Sequence, residues 1–219
     1  MAGIGVRLNK IFGRNTLTTN MIGFFYSTLV TVAPMFAIII NLVLMEYFLK
    51  FSTLGYAQRE LFSCTILYTF IFSLLTASPF NAVLSRYISD VIYEERYQDI
   101  LPCYHIGMML NIVLSCLVGI PFCLWEHFVG GVSVAYVFAG FWCYISLVFV
   151  FYSMIYLSIC KDYQRIAQYY IVGMLVAFFL SLFLRYICHW GITQSMLAAM
   201  DAGFFLTAVL ENALVKRDF

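Results

Sequence analysis

Asp201 lies in the run "QSMLAAMDAGFFLTAVLEN", where almost every other residue is apolar. A carboxylate in such a place has two chemistries open to it: it attracts a cationic group, or it carries a proton. Placing an ionised side chain at the centre of an apolar layer costs on the order of 3 kcal/mol, so it must be partnered, hydrated or protonated. Asp201 reads as the one acidic residue well inside an apolar run, with Arg185 the nearest partner in sequence for a plain ion pair. Gln194 and Asn212 recur with Asp201 at separations of 7 and 11 residues, which puts the three on one helical face. Asn20, Ser27, Thr31, Pro34 and Asn41, spaced by 7, 4, 3 and 7, form a second stripe, and Thr65, Thr69, Ser73, Thr76 and Pro79 a third. Such stripes either line a hydrated pathway for a substrate or serve as helix–helix glue. Pro34 and Pro79 each remove a backbone donor inside a helix and are candidate kinks.

Other chemistries find no support. The chain has no nucleophile elbow, HExxH, Walker loop or dinucleotide fingerprint, so no catalytic residue is assigned and no enzyme is expected. His105, His127 and His189 fall in separate loops, and the seven cysteines show no metal spacing. No metal site and no cofactor are therefore expected. Cys123 and Cys188 fall near span ends on one side, where they could pair.

Composition says what must position these stripes. Hydrophobic residues make up 63% of the 219, charged residues 11%, and mean hydropathy is +0.92. A soluble domain would be about one quarter charged. The solvent for this surface is lipid, and the chain reads as an all-α integral membrane protein. Six runs are long enough to cross a bilayer, at about 19–48, 61–85, 103–124, 132–157, 166–187 and 195–215. The joints are short, so successive helices should be antiparallel neighbours in one six-helix bundle. A net charge of +1 with no basic cluster argues against nucleic acid. Nine basic residues fall on the N-terminal side and three (Lys50, Arg59, Arg185) on the other, which predicts both termini in the cytoplasm. Trp125 and Trp190 fall in the outer loops.

The opening stretch, "MAGIGVRLNKIFGR", lacks a cleavage site and runs into too long an apolar segment to be a signal peptide. Ile4, Leu8, Ile11 and Phe12 share one side, with Arg7, Lys10 and Arg14 adjoining, which predicts an interfacial amphipathic helix over 1–18. The inner loop carries Arg86, Asp90, Glu94, Glu95, Arg96 and Asp99. It is a solvated connector or a docking loop for a cytoplasmic protein, and the Arg86/Asp90 spacing predicts that span two continues into it as a helix.

Two stretches resemble a known family. "MAGIGVRLNKIF" is similar to the opening of the PelG exopolysaccharide transporters. "SPFNAVLSRYISDVIYEERYQDILP" is similar to their segment after span two, the matching residues being Asn81, Val83, Ser85, Arg86, Tyr87, Ser89, Asp90, Ile92 and Tyr93. The resemblance implies a MATE-like, flippase-related carrier of the bacterial inner membrane, built from twelve helices in two halves, of which this chain would be the N-terminal half or a fragment. It further implies Pel polysaccharide as substrate and, as partners, a cytoplasmic glycosyltransferase and a cyclic-di-GMP receptor subunit of a biofilm export complex. A second six-helix half or a homodimer would complete the carrier. A cationic amino sugar would suit Asp201, and apolar replacement of Asp201 and Asn41 should then abolish export. The alternatives are a lipid-linked oligosaccharide flippase or cation-coupled exporter, and a non-transporting scaffold for the glycosyltransferase.

Overall fold

A computed structural model describes residues 17–94, 96–159 and 163–218. It contains α1 (Leu17–Phe48), α2 (Tyr56–Tyr93), α3 (Ile100–Phe128), α4 (Val134–Ile159), α5 (Tyr163–Tyr186) and α6 (Ile192–Asp218). Short 3-10 turns, Phe51–Thr53 and Tyr97–Asp99, precede α2 and α3. In lipid every backbone donor and acceptor must be satisfied within the chain, which is why runs this apolar become continuous helices. Five of them, α2 to α6, are long and apolar enough to cross a membrane; within α1 the stretch Val32–Phe48 is a shorter apolar helix. The interfacial helix expected over 1–18 lies outside the described residues except for Leu17 and Thr18, which open α1.

The helices overrun the expected spans at several ends. α2 runs past the apolar limit at residue 85 to Tyr93, the helical continuation expected from the Arg86/Asp90 spacing, and carries both residues exposed. α3 runs on to Phe128, so Trp125 stands in its last turn rather than in a loop. Pro34, Pro79 and Pro121 all sit inside unbroken helices, the last having drawn no attention in the sequence. At one end of the bundle, each of the three joints passes through a left-handed residue: Lys50 (φ 54°), Gly131 (φ 65°) and His189 (φ 56°). A residue of that kind just past a helix reverses the chain at once, and only for glycine is it free of steric cost.

Packing departs from the order along the chain. Among the described residues α1 packs chiefly on α5, α2 on α4, and α6 lies between α5 and α4. The expectation that every sequence neighbour is a packing neighbour fails for α1 and α2. Short joints set antiparallel direction, but side-chain fit sets the partner. α6 is the most enclosed helix, half of its apolar window being buried against 22% for α3. It approaches α5 where Gly173 meets Gly203: a Cβ on either glycine would stand 2.7 Å from the other's carbonyl oxygen. Ala199 and Gly203, from the small-residue run of span six, are both buried. Small residues are what lets two helices approach this closely in lipid, where apolar burial gives no net drive.

Two apolar clusters fill the interior. One gathers Met45, Phe62, Leu147, Met196 and Phe204, with Phe70 packed against it and set edge-on to Phe204 at 5.6 Å. The other surrounds Tyr104, Tyr152, Tyr156 and Tyr170. Its polar atoms are paired among themselves: Tyr104 and Ser153 share a hydrogen bond of 2.8 Å, and Tyr152 donates to the Tyr104 carbonyl at 2.9 Å. The Tyr152 and Tyr156 hydroxyls lie 3.0 Å apart. Tyr152→Phe keeps the ring stacked on Tyr104 and deletes the hydroxyl, so it is expected to cost about 1–2 kcal/mol. Unfolding by SDS titration would measure this, with Tyr152→Ala falling further because a cavity opens as well.

Candidate functional site

A groove of about 790 Å³ lies between α4, α6 and the α5–α6 joint. Its α4 wall presents Tyr136, Phe138 and Trp142, and its other wall presents Trp190, Gln194 and Asp201. Phe138 and Trp142, one turn apart, are near-parallel at 17° with centroids 6.4 Å apart. Both are exposed, as is Trp190. Large aromatic faces standing open beside a carboxylate and an amide make a surface for ligands that are part apolar and part polar.

Asp201 lies nine residues into α6, about 14 Å along its axis at 1.5 Å per residue. It is partly buried and accepts a hydrogen bond from the Ser146 hydroxyl of α4 at 3.0 Å. Arg185 is not its partner; that guanidinium donates to the Trp190 carbonyl at 2.7 Å. The carboxylate is thus held in place by a neutral donor, and no ion pair shown includes it. Gln194, exposed on the same groove two turns earlier, extends the polar strip toward the open end.

The remaining expected residues lie elsewhere. Asn41 is buried, its amide donating to the sulfurs of Met174 (3.4 Å) and Met200 (3.5 Å), so it joins α1 to α5 and α6 and does not line the groove. Asn212 is partly buried with its amide 3.8 Å from the Met108 sulfur. Asn20, Ser27 and Thr31 have backbones in α1, and their side chains fall outside the described residues. Thr65 and Thr69 face a separate, mostly apolar cavity of about 260 Å³ between α2, α3 and α4. Two tyrosines of α4 reach into that stripe: Tyr136 donates to Thr65 at 3.2 Å, and Tyr144 shares a 2.7 Å hydrogen bond with Thr76. Pro34 is buried in α1, and Pro79 is exposed on α2.

In the α2–α3 joint, Arg96 pairs with Glu94 and, at 3.4 Å, with Asp99. The hydrogen-bonded Glu94 carboxylate pushes the Arg96 guanidinium above its ordinary range. These charges answer one another locally, while Arg86 and Asp90 project from α2; Glu95 lies outside the described residues. Cys123 and Cys188 are both free thiols, so the pairing considered from sequence is absent. Among the described residues no group of three His, Cys, Asp or Glu is placed to hold a metal ion.

Sequence reasoning passed over Trp142 and Glu211. Trp142 lies mid-helix, away from the interface where tryptophan is expected, and that position was the available signal. Glu211 is fully buried inside α6, which corrects the reading of Asp201 as the one acidic residue well inside a span.

Neither the comparison with curated proteins nor that with solved structures finds a match. A family model described as "PelG: Putative exopolysaccharide Exporter (EPS-E)" matches residues 1–219. That match runs the full length of a chain with five helices able to cross a membrane, and the protein belongs to the PelG family.

Proposed function

We propose that the protein takes part in moving an exopolysaccharide across the cytoplasmic membrane, and that the α4–α6 groove contacts the sugar chain in passage. The observation that carries this reading is the groove itself, with exposed Trp142, Phe138 and Trp190 set beside Asp201 and Gln194. Sugar rings have apolar faces that rest on aromatic rings and hydroxyl edges that need acceptors and donors. An amino sugar adds a positive charge, which both the carboxylate and the indole faces attract.

In this reading all six helices cross the membrane with both termini in the cytoplasm, and the bundle acts as one half of a two-part carrier. The second part is a further six-helix half or a second copy. Alternating movement of the two halves would expose the groove to each side in turn. The glycosyltransferase that makes the polymer, and a cyclic-di-GMP receptor subunit, are the proposed partners at the cytoplasmic face.

The test compares cells with and without the polymer synthase. Polymer should reach the medium only when synthase and this protein are both present. Transport of a lipid-linked oligosaccharide or of an organic cation in cells without the synthase would assign the protein to flippases or cation exporters instead.

A further inference from the structure

Glu211 is unlike every other carboxylate described. It has no exposed surface, and neither of its carboxyl oxygens has a hydrogen-bond partner. It lies seven residues before the end of α6, about 10 Å along the helix from Asp218. Its neighbours on the same face, Ala208, Leu214 and Val215, belong to the apolar cluster around the tyrosines. Buried polar groups are nearly always hydrogen-bonded, and one that is not calls for an explanation such as a bound water, ion or proton.

The surroundings narrow these down. Among the described residues, Tyr104 of α3 and Tyr170 of α5 lie within electrostatic reach of Glu211. Tyr152 and Tyr156 of α4 stand behind Tyr104 and are bonded to one another. α2 brings Arg86 and Asp90 toward the same end, both exposed, and on α6 itself Lys216 and Arg217 are exposed as well. Arg165 of α5 also has an interaction partner. No ion pair shown includes Glu211. A hard metal cation requires several oxygen ligands, and among the described residues no group of three His, Cys, Asp or Glu is placed to supply them. A bare carboxylate cannot be carried in so apolar a place, whereas a neutral acid can.

We propose that Glu211 is a proton-binding site, loaded in the conformation described. The site is separate from the Asp201 groove, and its occupancy can be read without any transport assay.

The test is carboxyl modification of the reconstituted wild-type chain by an apolar carbodiimide, which reacts with protonated carboxyls in lipid, followed by peptide mass spectrometry. At neutral pH the peptide containing Glu211 should be modified, and modification should decline as pH rises, while exposed Glu46 and Glu60 stay unmodified. In the infrared spectrum an acid carbonyl band at neutral pH should vanish in Glu211→Gln and persist in Asp201→Asn. An unmodified Glu211 peptide, or an acid band retained in Glu211→Gln, overturns the proposal. Protection by sodium at fixed pH overturns it in favour of a metal-ion site.

Discussion

Asp201→Leu is expected to reduce secreted polymer about 10- to 100-fold while leaving the amount of chain in the membrane unchanged. A hydrogen bond to a charged group is worth about 1.5–3 kcal/mol, and each 1.4 kcal/mol is about tenfold in binding. Removing Asp201 frees Ser146, whose hydroxyl can turn to its own helix carbonyls, so folding should suffer little. Asp201→Asn isolates the charge, because the amide oxygen keeps the Ser146 bond. If export follows charge, the Asn variant should resemble Leu; if it follows shape, the Asn variant should resemble wild type. Asn41→Leu is expected to behave differently from what its place in a polar stripe suggests. Its amide meets only two thioether sulfurs, which are weak acceptors, so an apolar side chain of similar size should leave export within about twofold. The measurement is polymer in the medium against immunoblotted chain in the membrane fraction. Undiminished secretion from Asp201→Leu would remove this carboxylate from the pathway.

Gly173→Leu is expected to abolish recovery of folded protein. The α5–α6 crossing leaves no room for a side chain: a Cβ on Gly173 would press on the Gly203 carbonyl and the Thr207 side chain. Neither helix can yield locally, since Thr207 already donates to the Gly203 carbonyl at 2.9 Å and α6 is held by α4 on its other flank. Overpacking of a fitted core costs about 1–3 kcal/mol when it can relax. Here backbone is the obstacle, so the cost should lie at or above the top of that range. Gly203→Leu should fail in the same way, because its Cβ would meet the Gly173 carbonyl and Ala177. Gly55→Leu is the control, with open space around that position. Size-exclusion chromatography of detergent extracts distinguishes a folded monodisperse peak from aggregate.

The helices were legible because lipid enforces them. Once a run is apolar and about 20 residues long, its backbone has no alternative to internal hydrogen bonds. Span five, read as 166–187, is observed as Tyr163–Tyr186. The helix ends were less legible from hydropathy, which marks where the hydrocarbon stops and not where the helix does; the continuation of α2 to Tyr93 was legible instead from the Arg86/Asp90 spacing. The pairing of Gln194 with Asp201 followed from their spacing, and they do share a groove. Asn41 shows the limit of that argument. A wheel says which residues share a face of one helix, but not which helix that face will meet. Glu211 was missed because it falls in the last turns of the span read as 195–215, close to the polar "KRDF", and only packing reveals that it is sealed inside. Trp142 leaves no periodic trace in an apolar run; its depth in the helix was the one sequence signal, and the groove beside it supplies the meaning.

The docking of α1 on α5 has a consequence for biogenesis. Asn41 and its acceptor Met174 are 133 residues apart, so the first helix enters the membrane long before its partner has been made. At roughly 5–20 residues per second, translation leaves α1 waiting on the order of ten seconds with an amide turned toward lipid. During that interval the helix depends on whatever company the insertion machinery or a neighbouring chain provides. α2, α3 and α4 emerge meanwhile and can assemble with one another, so the order of synthesis makes α5 and α6 the closing pieces that recruit the waiting first helix.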